Sequence, residues 1–342
     1  MWTNISLDRR CMLGLAATLV LPRSAIAQAT PARRRIAFLL STAHNDPLTT
    51  ARLGAMKARL SELGWIDGRS IEYAALTCLD DPVKRVAMAA QIVAEAPDLI
   101  ITGGVLDAQA ILKATRTIPL VFSTAADPVS SGFVQSLVRP GGNATGFTTS
   151  HPSMGSKWLE ILMELAPHVK RVGVIFNPVS APRNGDYYLE PLRELAPSFG
   201  VEIIPLPLTD LAAIPLQIER LRGAPAAGMV VTPDAFTVLN RKPIVAAAAA
   251  NAVPAVYSYH FFMEQGGLAS YGFKYEPGGT ERSELVDAMV EYIDLILRGA
   301  NPAELPVRSP RTYQLIVNLR TARTLGLTVP PVLMARADKV IE

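Results

Sequence analysis

The sequence predicts an α/β fold built from two successive series of parallel strands and helices, and three observations point to it. Short β-branched runs alternate with longer helical patterns along the body of the chain, the signature of a parallel sheet covered by helices. The alternation pauses once, around 140–146, and then starts again. Removing an N-terminal targeting signal would leave about 315 of the 342 residues, which suits two domains of ordinary size.

Residues 1–27 read as that signal. Arg9 and Arg10 precede a short apolar run from Cys11 to Leu21, and Ala25-Ile26-Ala27 supplies a small-x-small cleavage site. The run has about a dozen residues where a bilayer span needs about 20. The expectation is export to the periplasm by the Sec route, or by the twin-arginine route that the paired arginines also permit. Cys11 precedes the apolar run, so it is not a lipid attachment site. Its removal leaves Cys78 as the only thiol, and no internal disulfide can form. Removing 1–27 takes away Arg9, Arg10, Arg23 and Asp8, so Lys+Arg falls from 33 to 30 and Asp+Glu from 30 to 29. The remaining net charge of +1 gives no reason to expect nucleic acid or an anionic membrane surface as a partner.

The elements follow in order. Arg35–Leu40 reads as a buried first strand, and Asp46-Pro47 opens a helix with Asp as N-cap and Pro at its first position. Leu53, Met56, Leu60 and Leu63 recur at helical spacing until Gly64 ends the run. Ile71–Leu76 is a second strand, and Asp81-Pro82 repeats the helix-start signal. Leu99–Thr102 and Leu120–Ser123 are strands three and four. After the pause come strands at Val172–Phe176, Val201–Ile204, Gly228–Val231 and Ala255–Tyr257, with helices at 189–199, around Ile218 and at 243–251. Gly267–Gly272 is strand-like, 280–298 is a long amphipathic helix, and Tyr313–Asn318 is a last strand. If the chain crosses between lobes near Gly142 and again at Tyr257–Phe262, a third crossing is required near 300–310. That places one lobe at 33–147 plus 260–303 and the other at 148–259 plus 304–342, joined by a three-segment hinge.

Several stretches, in this order, resemble a family of ABC transporter substrate-binding proteins. Ala37–Ser41, Glu62-Leu63-Gly64-Trp65 and Asp67-Gly68-Arg69 match its opening, followed by Pro119–Phe122, Ala126-Asp127-Pro128-Val129 and Ser131-Gly132. Arg139-Pro140-Gly141-Gly142-Asn143-Ala144-Thr145-Gly146 is the most specific match. Gly266–Gly272, Asn318–Ala322 and Leu325–Pro331 complete it. The resemblance implies a type I periplasmic binding protein, or Venus-flytrap: two Rossmann-like lobes, a ligand cleft between them and an ABC permease with its ATPase as partner. Some members take tryptophan or related aromatic amino acids. The Arg183–Tyr188 segment departs from the family pattern, which puts second-lobe contacts there in doubt.

Open α/β sheets bind ligands outside the carboxyl ends of their strands, where free backbone N–H groups and helix dipoles suit a carboxylate. The candidates from the first lobe are Ser41 and Thr42, Thr102 and Gly103, and Ser123, Thr124 and Asp127. From the second come Asn177 and Asp234, with Tyr259 and Tyr271 near the hinge. Each has a structural alternative: Gly103-Gly104 as a tight turn, Asp127 and Asp234 as helix caps, the tyrosines as hinge packing. Enzyme signatures are missing: no GxSxG, HExxH, P-loop lysine or GxGxxG. The histidines lack metal-ligand spacing, and His44 reads as a solvated loop residue at the cleft edge. No cofactor or metal is expected. The leading reading is a non-catalytic binding component of an importer that takes a small carboxylate-bearing solute. The alternatives are a ligand sensor for a membrane receptor and a Rossmann-type enzyme.

Overall fold

The computed structural model describes residues 33–342 except 44, 80, 125–126, 150, 223–225 and 275–283. The targeting signal and His44 therefore lie outside the described residues. Among those described, no helix is long and apolar enough to cross a membrane.

The first series is β1 (Arg34–Leu40), α1 (Pro47–Glu62), β2 (Ile71–Thr77), α2 (Pro82–Ala94), β3 (Leu99–Thr102), α3 (Val105–Ala114), β4 (Leu120–Thr124) and β5 (Ala144–Thr148). Its five strands form a wholly parallel sheet in the order β2-β1-β3-β4-β5. Both of its faces are buried, which is why the strands read as continuous apolar runs. In β1 the side chains alternate: Ile36, Phe38 and Leu40 join one core cluster, while Ala37 and Leu39 join another. The helix starts behave as the sequence predicts. Asp46 accepts the Thr49 N–H, Asp81 accepts those of Val83 and Lys84, and Pro47 and Pro82 need no partner in the first turn.

The second series is α4 (Met154–Leu165), β6 (Arg171–Phe176), α5 (Asp186–Phe199), β7 (Glu202–Pro207), α6 (Ala213–Arg222), β8 (Ala227–Val231), α7 (Ala235–Leu239), α8 (Arg241–Ala250) and β9 (Ala255–Tyr257). It is followed by β10 (Ala269–Phe273), α9 (Glu284–Leu297), β11 (Tyr313–Asn318), α10 (Leu319–Thr324), α11 (Pro331–Arg336) and β12 (Lys339–Ile341). The second sheet runs β12-β11-β10-β9-β8-β6-β7. All its pairs are parallel except β10 with β11.

One sequence expectation is corrected here. Residues 257–262 do not cross to the first sheet. His260–Gln265 is a short 3₁₀ turn, and β10 then pairs with β9, so 260–273 stay with the second sheet. The approach is close enough that a Cβ on Gly272 would sit 2.0 Å from the Ser258 carbonyl oxygen. The chain leaves the second sheet after Phe273. It then contributes α9 to the first sheet, where Asp287 accepts from Arg59 at 3.0 Å and Asp294 from the Trp65 indole at 2.7 Å. It returns alongside β5: Arg308 N–H donates to the Gly146 carbonyl at 3.0 Å, and Thr148 N–H to the Arg308 carbonyl at 2.8 Å. Departure and return at the same end of the sheet explain why β11 runs antiparallel to β10. The core is not cut in two, because one buried cluster extends from Ile36 and Phe38 through Tyr259, Phe261 and Phe273 to Ile175 and Val231.

Candidate functional site

The carboxyl ends of β1, β3 and β4 face those of β6, β8 and β9 across a cavity of about 180 Å³. Its first-sheet wall begins at Ser41, whose Oγ donates to Asp107 Oδ1 and Oδ2 at 2.9 and 2.7 Å. Asp107 is fully buried and receives Arg85 Nε at 2.8 Å. Burial pushes its carboxyl up, against the lowering pull of the Ser41 and Arg85 hydrogen bonds. The Arg85 guanidinium, itself almost wholly buried, favours the charged carboxylate and opposes that shift. Next to it, Thr42 Oγ1 lies 2.6 Å from Thr49 Oγ1, which itself donates to Asp46 Oδ2 at 3.0 Å.

The turn after β3 delivers the start of α3. Gly104 is the N-cap and supplies no side-chain bond, so the first-turn N–H groups are uncapped by the chain's own side chains. Arg52, from α1, lines the same space. A Cβ on Gly103 would stand 3.0 Å from Arg52 Nη2, so the glycine lets the guanidinium lie against this turn. Arg52 makes no hydrogen bond or ion pair with any described residue. A positive helix end beneath an uncommitted guanidinium suits a carboxylate.

On the second-sheet side, Asp234 caps α7 by accepting the Thr237 N–H at 2.9 Å, and it also accepts Asn177 N–H at 3.1 Å and Ser180 Oγ at 3.0 Å. Burial pushes its carboxyl up to about 6, although the Thr237 and Asn177 N–H groups pull the other way. Tyr259 stacks on Phe261 with centroids 5.0 Å apart, meets Phe273 edge-on at 5.7 Å, and hydrogen-bonds Thr149 Oγ1 at 3.2 Å. Arg241, at the start of α8, lies 5.7 Å over the Phe261 ring. Its Nε is buried with no partner among the described residues.

Of the residues singled out from sequence, Ser41, Thr42, Gly103, Ser123, Asp234 and Tyr259 line this cavity. The others do not. Thr102 is buried within β3 beneath it. Thr124 ends β4, but its side chain is outside the described set. Asp127 caps a surface turn through the N–H groups of Val129 and Ser130 at 3.1 and 3.2 Å. The Asn177 side chain holds its own loop, donating to Leu208 O and accepting from Val179 and Ser180 N–H. Tyr271 stacks on Tyr313 at 5.9 Å, away from the cavity. Sequence reading missed Arg52, Arg241, Ser180, Phe261 and Phe273. Arg52 had a readable signal: it follows Leu48 by four residues, on one face of a helix entering the predicted cleft.

The chain as a whole is similar to known proteins. A tyrosine-binding protein of Clostridioides difficile (strain R20291) is 28% identical over 281 residues, covering 82% of this chain and 77% of its own. A conserved domain protein from Vibrio cholerae superposes with a TM-score of 0.79 at 26% identity, over 90% of this chain and 99% of that one. The fold is also shared with an ABC domain from Streptococcus pneumoniae solved in complex with L-Trp, again at TM-score 0.79, with 24% identity over 90% and 100% of the two chains. The family model for ABC transporter substrate binding proteins matches residues 36–341. That match spans most of the sequence, and this chain belongs to the ABC transporter substrate binding protein family.

Proposed function

We propose that this protein is the exported, periplasmic solute-binding component of an ABC importer, and that its solute is a small aromatic molecule bearing a carboxylate, an aromatic amino acid or an aromatic acid. The observation that carries this reading is the pairing of two unlike walls in one cavity. Arg52 and the uncapped start of α3 supply donors for a carboxylate, and Tyr259, Phe261 and Phe273 supply an aromatic surface. The tyrosine-binding relative supports the same class, and the pattern in residues 1–27 supports export.

The mechanism follows from walls on separate sheets. A ligand touching both stabilises the arrangement in which they face each other, so binding shifts the population toward the closed form. The permease then receives the closed form, and its ATPase supplies the energy for transport. A thermal-shift screen of L-tyrosine, L-tryptophan, aromatic acids and neutral sugars tests the reading. Ligand at 100 times its Kd stabilises by about 2.7 kcal/mol, so aromatic carboxylates are expected to raise the melting temperature by several degrees. A shift with neutral sugars alone would defeat the proposal.

A further inference from the structure

Each sheet ends in two edge strands, and among the described residues only β2 is open to a further strand. The outer edge of β5 is taken by the returning chain, through the hydrogen bonds of Arg308 with Gly146 and Thr148. At one end of the second sheet, β12 has only three residues. At the other end, Glu202 and Leu208 donate their N–H groups inward to the Lys170 and Phe176 carbonyls. The alternate β7 residues, Ile203, Pro205 and Pro207, therefore turn their backbone outward. Proline has no N–H to offer, so this edge is guarded against further pairing.

The strand β2 spans seven residues without a proline, and Glu72 is its one charge. Arg34 N–H donates to the Ser70 carbonyl at 3.0 Å and Cys78 N–H to the Leu40 carbonyl at 2.9 Å. Glu72, Ala74 and Leu76 thus turn their backbone groups to β1, while Ile71, Tyr73, Ala75 and Thr77 turn theirs outward. Ile71 is already engaged, donating to Ile66 O at 3.2 Å and accepting from Gly68 N–H at 2.9 Å. Tyr73, Ala75 and Thr77 are left as an open ladder centred on Ala75. A second copy running antiparallel about a two-fold axis at Ala75 matches it. Facing residues then exchange both bonds, Ala75 with its own counterpart and Tyr73 with Thr77.

Two side-chain observations agree with this register. The Tyr73 and Thr77 hydroxyls are both buried with no partner among the described residues. Both side chains lie on the face of Ile36 and Leu40, and the pairing sets each across from the other. On the opposite face, the exposed Glu72 comes level with residue 78 of the second copy, just before the turn into α2, where Lys84 is exposed. We infer that β2 pairs with β2 of a second copy, joining two five-stranded sheets into one and making the protein a homodimer. The pairing engages the first sheet alone and leaves the second sheet of each copy free for closure.

Sedimentation of the purified protein from about 1 to 200 µM tests the pairing, because so short an edge contact belongs among the weak interfaces. The mass is expected to rise from that of one chain towards that of two. Ala75→Pro copies the guard on β7 and breaks no hydrogen bond inside the fold, since the Ala75 N–H points outward. It is expected to weaken the dimer at least about tenfold. Glu72→Lys brings like charges together and should weaken it about three- to tenfold, and adding Lys84→Glu should restore most of the loss. This charge exchange reads the same register should Ala75→Pro fail to fold. A protein that stays monomeric at about 200 µM overturns the proposal and leaves the edge to a strand of a different protein. A dimer unchanged by Ala75→Pro, or by the charge variants where that protein does not fold, forms through another surface and overturns it as well.

Discussion

The guanidinium of Arg241 lies 3.9 Å from the carboxylate of Asp46, a charged pair that joins α8 of the second sheet to α1 of the first beside the cavity. Both side chains are only about a fifth exposed, 21% and 20%, so the pair is screened less than a surface bridge. On the closure mechanism proposed above, opening the cavity would separate the partners. Arg241→Gln is expected to weaken ligand binding by about three- to tenfold, matching the 1 kcal/mol or so that such a pair contributes. The effects of Asp46→Asn and Arg241→Gln should be less than additive when the two are combined. A double-mutant cycle by calorimetry checks this, and simple additivity would show that the pair is not coupled.

The Arg85–Asp107 pair makes a different prediction, one about stability. Both side chains are almost wholly buried, 6% and 1% exposed, and removing one partner breaks a buried, hydrogen-bonded charge pair. Asp107→Ala is expected to destabilise the protein by about 3–5 kcal/mol, measured by urea unfolding. Replacing both, as in Arg85→Met with Asp107→Leu, should recover much of the loss, because a buried charge pair replaced by apolar side chains is often nearly neutral for stability.

These two pairs also mark where the sequence was legible. The elements could be read because strand and helix periods, Asp-Pro helix starts and Gly stops are local signals. The loops that end the strands could be placed for the same reason, and Ser41, Gly103 and Tyr259 come from them. The partners that give those residues their roles were not legible. Asp107 is 66 residues from Ser41, and Arg241 is 195 residues from Asp46, and only the folded topology brings each pair together. The crossing misplaced at 257–262 was an error of the same kind. Whether β10 stays with β9 depends on a backbone approach at Gly272 that no local pattern announces.

Two buried groups should give the stability profile opposing slopes in acid. Burial pushes Asp234 up to about 6 from 3.8, so between pH 4 and 6 the native state holds a proton that the unfolded chain has lost. Its contribution therefore falls as pH rises through that window, by roughly 3 kcal/mol in all. Burial pushes His260 down to about 4 from 6.5. The unfolded chain then binds a proton that the native state refuses, and stability is lost as pH falls from about 6.5 to 4. Asp234→Asn should steepen the acid-side loss, and His260→Gln should flatten it. Unfolding free energies measured at half-unit steps from pH 4 to 7 decide the matter, and identical profiles for both variants would show that neither group governs the window.

The placement of Arg52 gives a prediction that separates the ligand site from the fold. A methyl group on Gly103 would approach Arg52 Nη2 at 3.0 Å and Nη1 at 3.5 Å, and the guanidinium, the far end of a flexible side chain, can move aside. A methyl on Gly104 would meet Asp107 Oδ2 at 3.3 Å, and that oxygen is held by Ser41 at 2.7 Å. Gly103→Ala should therefore leave stability within about 0.5 kcal/mol while lowering affinity for an aromatic carboxylate, because the displaced guanidinium no longer reaches the start of α3. Arg52→Gln should show the full effect of losing that donor, about ten- to hundredfold, in line with the 1.5–3 kcal/mol of a hydrogen bond to a charged group. Gly104→Ala should lower both stability and affinity. Calorimetric titration alongside thermal unfolding reads all three, and unchanged affinity in Arg52→Gln would remove this arginine from the site.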